Sequence, residues 1–335
     1  MKDRQDENCR GGGDIHSDLF ERIISLDNLF AAWKEFRRGK TGKRDVQAFE
    51  WKLEDSIFAL HEDLKRGTYC HGTYESFYVC DPKRRHIHKP SVRDRLLHHA
   101  VVRVIEPSFD GRFIFDVWSC RKGKGTHRAV ARFQKLAWSI SRNDTRAVWV
   151  LKLDIQKFFE SVDQNILLGI LTKTITDDRV MGLLTDVIRR FPSGIPLGNL
   201  TSQLFANIYL NELDQFVKHE LRAQFYVRYC DDFVLLHENR DALSAMLPRI
   251  RDFLAGHLAL ALHPQKITLT LYHRGVDFLG FVCFPHFRLL RTKTKLRMLR
   301  RVSTKNVILY AGLVRQARAN GLRRALEFDF FPFEI

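Results

Sequence analysis

Three aspartates stand where carboxylates can do metal chemistry. Asp154 closes the apolar, β-branched run Ala147-Val-Trp-Val-Leu-Lys-Leu-Asp154, which predicts a buried strand ending in a carboxylate. Asp231 and Asp232 fall between Phe225-Tyr-Val-Arg-Tyr229 and Phe233-Val-Leu-Leu236, the pattern of a β-hairpin with both carboxylates at its tip. An Asp-Asp turn alone is ordinary, because Asp favours turns for backbone reasons. A strand-end carboxylate beside a hairpin-borne pair is a different matter. Such a set can hold two Mg²⁺ ions, which keep several waters and take few carboxylates alongside phosphate oxygens. Two ions ~3.5–4 Å apart clamp the attacking and leaving oxygens of an in-line phosphoryl displacement. Hard Mg²⁺ wants carboxylates rather than His or Cys.

Charge suggests what is displaced. Lys+Arg at 55 against Asp+Glu at 39 gives +16 and a pI near 9.7, which points to a polyanionic partner: a polynucleotide, with a nucleotide triphosphate as co-substrate. A basic protein for a membrane surface is the competing reading. No stretch approaches the ~18 uninterrupted apolar residues of a spanning helix, and Met1-Lys-Asp-Arg-Gln-Asp-Glu7 lacks a signal-peptide core. A cytoplasmic protein with no membrane partner is expected. The six cysteines form no Cys-x-x-Cys pair and read as reduced thiols. His86/His88 and His98/His99 lack the spacing of a hydrolytic zinc site. Gly39-Lys40-Thr41 is no phosphate loop, because Lys34 stands where the first glycine is needed.

The elements that must position the carboxylates follow from periodicity. Residues 1–16, with Gly11-Gly12-Gly13, read as disordered. Helices are expected over 17–38 and 46–64, then strands over 74–80 and 85–88 across the turn Asp81-Pro82-Lys83-Arg84. Further helices fall at 93–106 and 126–139, over roughly 163–190, at 200–218 and at 241–257. Strands are expected at 266–272 and as an apolar pair within 277–290. From Asp277 to Glu327 no acidic residue occurs, while Arg288, Arg291, Lys293, Lys295, Arg297, Arg300, Arg301, Lys305, Arg315, Arg318, Arg323 and Arg324 do.

Taken together these residues resemble a known family. Leu153-Asp154-Ile-Gln-Lys-Phe-Phe159 resembles the first catalytic motif of reverse transcriptases, and Tyr229-Cys230-Asp231-Asp232 their Tyr-x-Asp-Asp box. Phe278-Leu279-Gly280 matches the primer-grip hairpin, and Pro264-Gln265-Lys266 the lysine-bearing motif before it. Lys89-Pro-Ser-Val-Arg-Asp-Arg95 and Ser119-Cys-Arg-Lys-Gly-Lys-Gly125 resemble finger motifs of the bacterial, group II intron-like branch. The ordered set covers roughly 20–320. Where most reverse transcriptases carry Gln-Gly and then Ser-Pro, this chain has Leu197-Gly198 and Ser202-Gln203. That substitution resembles the reverse transcriptases of diversity-generating retroelements, which copy a template-repeat RNA, misincorporate opposite adenines and so diversify a target gene.

The resemblance implies an α+β right-hand polymerase fold with a palm of antiparallel sheet carrying helices on one face. A helical extension would occupy 17–72, fingers 73–145, palm 146–286 (with finger residues in 165–195) and a short helical thumb 287–335. It implies that Asp154, the backbone at Ile155, Asp231 and Asp232 hold two Mg²⁺ ions, with Mn²⁺ able to stand in. Lys266 would protonate the leaving pyrophosphate, or else be a surface lysine at a strand start. Phe159 would crowd a ribose 2′-OH, unless Phe158 and Phe159 are both core. Lys83, Arg85, Arg95 and Arg121 are candidates for the triphosphate, together with Leu197 and Gly198. Leu197 and Gln203 would set fidelity, and Arg291, Lys293, Lys295, Arg297, Arg300 and Arg301 would track an RNA–DNA duplex. The implied partners are template RNA, dNTPs and a pentameric, basic accessory protein. The rivals are a group II intron-type, retron or phage-defence enzyme, a Mg²⁺-dependent nuclease, and a silent polymerase fold used as an RNA-binding scaffold.

Overall fold

The computed structural model describes residues 18–80, 84–304 and 306–318. The glycine-containing N-terminal stretch, Lys83, Lys305 and the arginines at 323 and 324 lie outside the described residues. Among those described, no helix is long and apolar enough to cross a membrane. The chain groups into two compact units, Met1–Arg112 with Phe159–Tyr209, and Phe113–Phe158 with Leu210–Ile335.

In the first unit the expected opening helix is two, Leu19–Ile24 and Leu26–Phe36. Ser25 breaks it with an extended ψ of 140° and caps the second helix, its hydroxyl accepting from Asn28 N–H at 3.3 Å. The next expected helix is likewise split at Lys52, into Arg44–Trp51 and Leu53–Lys65. Both pieces of the opening helix pack on Val92–Asp110, burying Ile23, Leu29, Trp33, Leu97 and Val101. Strands β1 (Glu75–Val79) and β2 (Arg85–Lys89) form an antiparallel ribbon, and Gln164–Thr172 and Asp178–Arg189 pack as a helical pair. Asp163 and Asp177 cap these last two helices.

The second unit is built on a four-stranded antiparallel sheet. Its strands are β3 (Trp149–Asp154), β4 (Phe225–Tyr229), β5 (Asp232–His237) and β6 (Thr268–Leu271), in the order β4-β5-β3-β6. Period-two alternation sends Val150, Val227, Val234 and Leu236 into one apolar cluster with Phe133, Leu136 and Ala137 of helix Thr126–Ile140. The residues paired on the other face include Leu151 with Leu235 and Leu153 with Phe233. Helix Arg240–Leu258 contacts β3 and β5, yet none of its buried Leu243, Ile250, Leu254 and Leu258 belongs to that cluster. The expected apolar strand pair after Asp277 is three strands in a separate sheet: β7 (Val276–Phe278), β8 (Phe281–Cys283) and β9 (Arg288–Leu290). The helices Thr292–Arg301 and Val307–Arg315 follow.

The first unit buries a polar cluster that ties its stability to pH. His71 and His98 are both buried with their Nε2 atoms 3.1 Å apart, while Asp94 accepts from Tyr69 and Ser91, each at 2.7 Å. Burial, reinforced by His71, pushes His98 down to about 3; burial and Lys40 push His99 down to about 4. A histidine depressed in the folded state takes up its proton first in the unfolded chain, near pH ~6.5. Stability is then complete above that pH and falls as pH drops toward 4, by at most ~1.4 kcal/mol per pH unit for each histidine. Asp231 and Asp232, whose carboxyls are pushed up, act in the opposite sense over this range, so the histidine part is read as a difference. Between pH 7 and 4 the urea midpoint of His98→Gln should drop less than that of the wild type, and an equal change in the two would refute the assignment.

Candidate functional site

The antiparallel register of the second unit brings the strand-end carboxylate beside the hairpin-borne pair. Asp154 on β3 is the cross-strand partner of Asp232 on β5, and Asp232 is also the partner of Tyr229 on β4. Asp231 lies in the two-residue turn between β4 and β5, whereas Asp232 is the first residue of β5 itself, so only one carboxylate sits at the tip. The backbone after β3 is clamped on both sides. Ile155 N–H donates to Asp231 O at 3.2 Å, Gln156 N–H to Ala261 O at 2.8 Å, and His263 N–H to Asp154 O at 2.8 Å.

Three carboxylates gathered this way repel one another, and burial adds to the cost of ionising them. Burial, then the neighbouring Asp154, pushes Asp231 up. Burial pushes Asp232 up to about 7, opposed by Lys152 and aided by Asp154 and Asp231. Two ammonium groups offset the repulsion: Lys266 Nζ lies 2.5 Å from Asp154 Oδ1, and Lys152 Nζ 3.5 Å from Asp232 Oδ2. Lys266 belongs to the 3₁₀ turn Pro264–Lys266 just ahead of β6, a turn started by His263, whose ring accepts from Gln265 N–H.

The donor set fits a divalent cation. All three side chains offer hard oxygens, and Asp232 Oδ1 is buried with no hydrogen-bond partner. The two lysines already occupy these carboxylates as cations. Among the described residues no three His, Cys, Asp or Glu side chains stand together in a way that would by themselves hold a metal ion. Mg²⁺ does not need three, since it keeps most of its waters and binds through one or two carboxylates.

The turn carrying Asp231 is held in a conformation that L residues seldom adopt. Cys230 has φ of 56°, and both its backbone groups are engaged. Its N–H donates to Ser119 Oγ at 2.9 Å and its carbonyl accepts from Arg228 Nη1 at 3.1 Å. Arg228 is fully buried and locked by Asp214, equally buried, through Nε at 2.8 Å and Nη2 at 2.6 Å; Tyr226 O–H donates to the same carboxylate. Arg228, Asp214 and Lys152 belong to none of the motifs in the sequence. The signal was present, because Arg228 and Lys152 are charged residues inside otherwise apolar strands and such residues demand partners.

The β7–β8 turn is Leu279-Gly280, with φ of 50° and 91°, the positive pair that a two-residue hairpin of this hand requires. Phe278 is fully buried beneath it, and Gly280 O accepts from Arg291 N–H at 3.0 Å. Arg291 pairs with Asp277 and leads into Thr292–Arg301, where Met298 is buried and Lys293, Lys295, Arg300 and Arg301 are exposed, with Arg297 half-buried. Arg121 donates to Ile114 O at 2.9 Å and stacks over Phe113.

The remaining candidates lie in the first unit. Phe159 is half-buried while Phe158, in the second unit, is 1% exposed, so only one of the two is wholly core. Gly194, at φ of +68°, packs so closely on the backbone of Phe159 and Glu160 that a Cβ there would collide with it, and Ile195 N–H donates to Phe159 O at 2.8 Å. The same loop meets the β1–β2 ribbon, since Leu197 O accepts from His88 N–H at 3.3 Å and a Cβ on Gly198 would press on Ile87. Arg85 is exposed on β2 and Gln203 exposed on helix Leu200–Gln215. Arg95 is committed to Asp45 at 2.6 Å.

Comparison with known proteins bears on the family and the fold. The profile of the family described as Reverse transcriptase (RNA-dependent DNA polymerase) matches residues 80–283. Protein YkfC of Escherichia coli is 27% identical over 297 residues, covering 76% of both chains. The group II intron-encoded protein LtrA of Lactococcus lactis is 28% identical over 229 residues, covering 63% of this chain but 37% of its own length. Among solved structures, telomerase from Candida albicans in complex with a telomeric RNA fragment matches 79% of this chain and 55% of its own, at 10% identity and a TM-score of 0.52. That likeness is one of fold.

The buried pair behind the Cys230 turn makes a direct prediction. Arg228→Met strands the Asp214 carboxylate and should cost ~3–5 kcal/mol in denaturant unfolding. Adding Asp214→Leu should restore most of that loss without restoring the donor to Cys230 O. A single variant as stable as wild type would contradict the arrangement.

Proposed function

The chain belongs to the reverse transcriptase family, and from that premise we propose that it is an RNA-directed DNA polymerase whose reaction centre is Asp154, Asp231 and Asp232. The observation that carries this reading is the pairing of Asp154 with Asp232 across β3 and β5, with Asp231 on the adjoining turn. These carboxylates, with the backbone at Ile155, would hold two divalent ions, Mg²⁺ or Mn²⁺. When bound, such ions neutralise phosphate charge and favour in-line displacement by a primer hydroxyl.

The protein's own groups would do the rest. Lys266, beside Asp154, holds a proton at Nζ that can pass to the pyrophosphate leaving group. Phe159 would exclude a ribose 2′-OH by sterics. Arg85 and Arg121 suit phosphate through bidentate guanidinium contacts; Lys83 belongs to the same proposal, whereas Arg95 would first have to leave Asp45. The hairpin at Phe278, Leu279 and Gly280 would seat the primer end. The helix bearing Lys293, Lys295, Arg297, Arg300 and Arg301, with Arg291 at its start, would follow the hybrid duplex by phosphate contacts and shape.

Within the family we favour the diversity-generating retroelement branch, on Leu197 in place of the usual Gln and Gln203 in place of the usual Pro. An apolar Leu197 removes a hydrogen-bonding group that could police the nascent pair, and apolar sites discriminate poorly. Gly198 leaves room for Ile87 of the ribbon, whose Cγ2 a Cβ there would meet at 3.1 Å. The template would be a repeat RNA, engaged with help from a basic pentameric accessory protein. A group II intron-type enzyme is the second reading, favoured by the similarity to LtrA.

Purified protein supplied with Mg²⁺, dNTPs and a primed RNA should make cDNA, and Asp231→Ala should abolish synthesis. Sequenced products should carry errors concentrated opposite template adenines, reduced in Leu197→Gln. Accurate copying by the wild type would move the protein to the intron-like branch. Failure to copy even with cognate RNA and accessory protein would favour the scaffold.

A further inference from the structure

Lys152 offsets charge beside Asp232 but takes no part in the reaction steps above, and its surroundings are those of a part with a further task. On β3 it shares a face with Val150 and Asp154, and Val150 lies in the apolar cluster with Phe278 of β7 and Phe281 of β8. Lys152 thus sits on the strand exactly between the core that seats the three-stranded sheet and the carboxylate that opens the site. A lysine there for solubility would send its ammonium to water. This side chain is only 16% exposed, and its Nζ donates to the main-chain carbonyl of Asp277 at 2.7 Å while lying 3.5 Å from Asp232 Oδ2.

We propose that Lys152 is a positioning residue that fixes the Asp232 carboxylate against the β7–β8 hairpin, and so sets where a primer end meets the reaction centre. The inference rests on reading that hairpin as the primer seat. Three features support it. The contact on β7 is to a backbone oxygen, so Lys152 senses the strand's position rather than a side chain's rotamer. The carboxylate of the same residue, Asp277, is taken by Arg291, whose N–H in turn holds Gly280 O, so β7 and the hairpin turn are braced from the far side as well. Asp232 is left with one buried oxygen lacking a partner, so Lys152 is the only cation that the described contacts place on it.

The role separates from ordinary structural support by the sign of one effect. Lys152 competes with a metal ion for Asp232, so removing its charge should strengthen metal binding even as catalysis suffers. A variant that merely loosened the fold would weaken both.

The experiment compares wild type, Lys152→Met, Lys152→Gln and Lys152→Arg. It reads primer extension on RNA, duplex affinity by anisotropy, and Mn²⁺ binding to the protein alone by electron paramagnetic resonance, with melting temperature as the control. For Lys152→Met a misplaced reaction centre should lower kcat by roughly 100-fold, with duplex affinity held. Mn²⁺ should bind at least about threefold tighter once the competing charge is gone. Lys152→Gln, which can still donate to Asp277 O, should show the same Mn²⁺ tightening with a smaller loss of kcat, and it serves if the Met variant does not fold. Lys152→Arg, with charge and donors kept, should recover most of the activity. Wild-type kcat in Lys152→Met, or weaker Mn²⁺ binding in both neutral variants, overturns the proposal. A wild-type protein that extends no primer would instead sink the polymerase reading, and the Mn²⁺ titration would still decide the Lys152–Asp232 contact.

Discussion

Mutual repulsion among three carboxylates governs the second unit. The pairing of β3 with β5 forces Asp154 and Asp232 together, and the turn adds Asp231. Nothing in that pairing is favourable by itself, since burial and like charge both resist ionisation there. The unit answers with cations placed at fixed points: Lys266 from a 3₁₀ turn and Lys152 from the central strand. Each must be held by its own backbone, and this explains why the chain after β3 is bonded so tightly to residues 231 and 261–263.

The same logic extends one layer down. Cys230 keeps a left-handed backbone because Ser119 and Arg228 hold its two polar groups, and Arg228 is held by Asp214. A buried ion pair is weak ground for stability, because desolvation offsets most of its attraction. Its value here lies in direction. A planar guanidinium braced on one edge by Asp214 can present another N–H to a single carbonyl. In the first unit the matching device is a glycine: Gly194 lets the loop before Leu197 lie directly on the backbone of Phe159.

Much of this could be read from the residues. β3 and the β4–β5 hairpin follow from apolar runs ending in Asp154 and flanking Asp231, because alternation and turn chemistry are local properties. The helix breaks at Ser25 and Lys52 were not foreseen, since an apolar stripe continues across both and only tertiary packing decides where the axis bends. Asp232 was expected at the turn and lies on the strand; the difference is a single residue of register, which no local rule fixes. Arg228 was legible as an oddity inside Phe225–Tyr229, but its partner Asp214 comes from a helix, and long-range pairing of this sort leaves no mark in spacing. Phe158 and Phe159 looked alike until burial separated them.

The order of strands has a consequence for how the protein is made. β3 lies inside the sheet between β5 and β6, yet it leaves the ribosome well before either neighbour. For that interval its apolar residues have no ladder to join, and the chain between β3 and β4 contributes the helices Gln164–Thr172 and Asp178–Arg189 to the other unit. Non-local closure of this kind is slow, because the loop entropy must be overcome before any strand pair rewards it. Biogenesis is therefore the stage at which Val150, Leu151 and Leu153 are most exposed to wrong partners, and a nascent chain halted before Thr268 would carry the aspartates with an incomplete sheet to hold them.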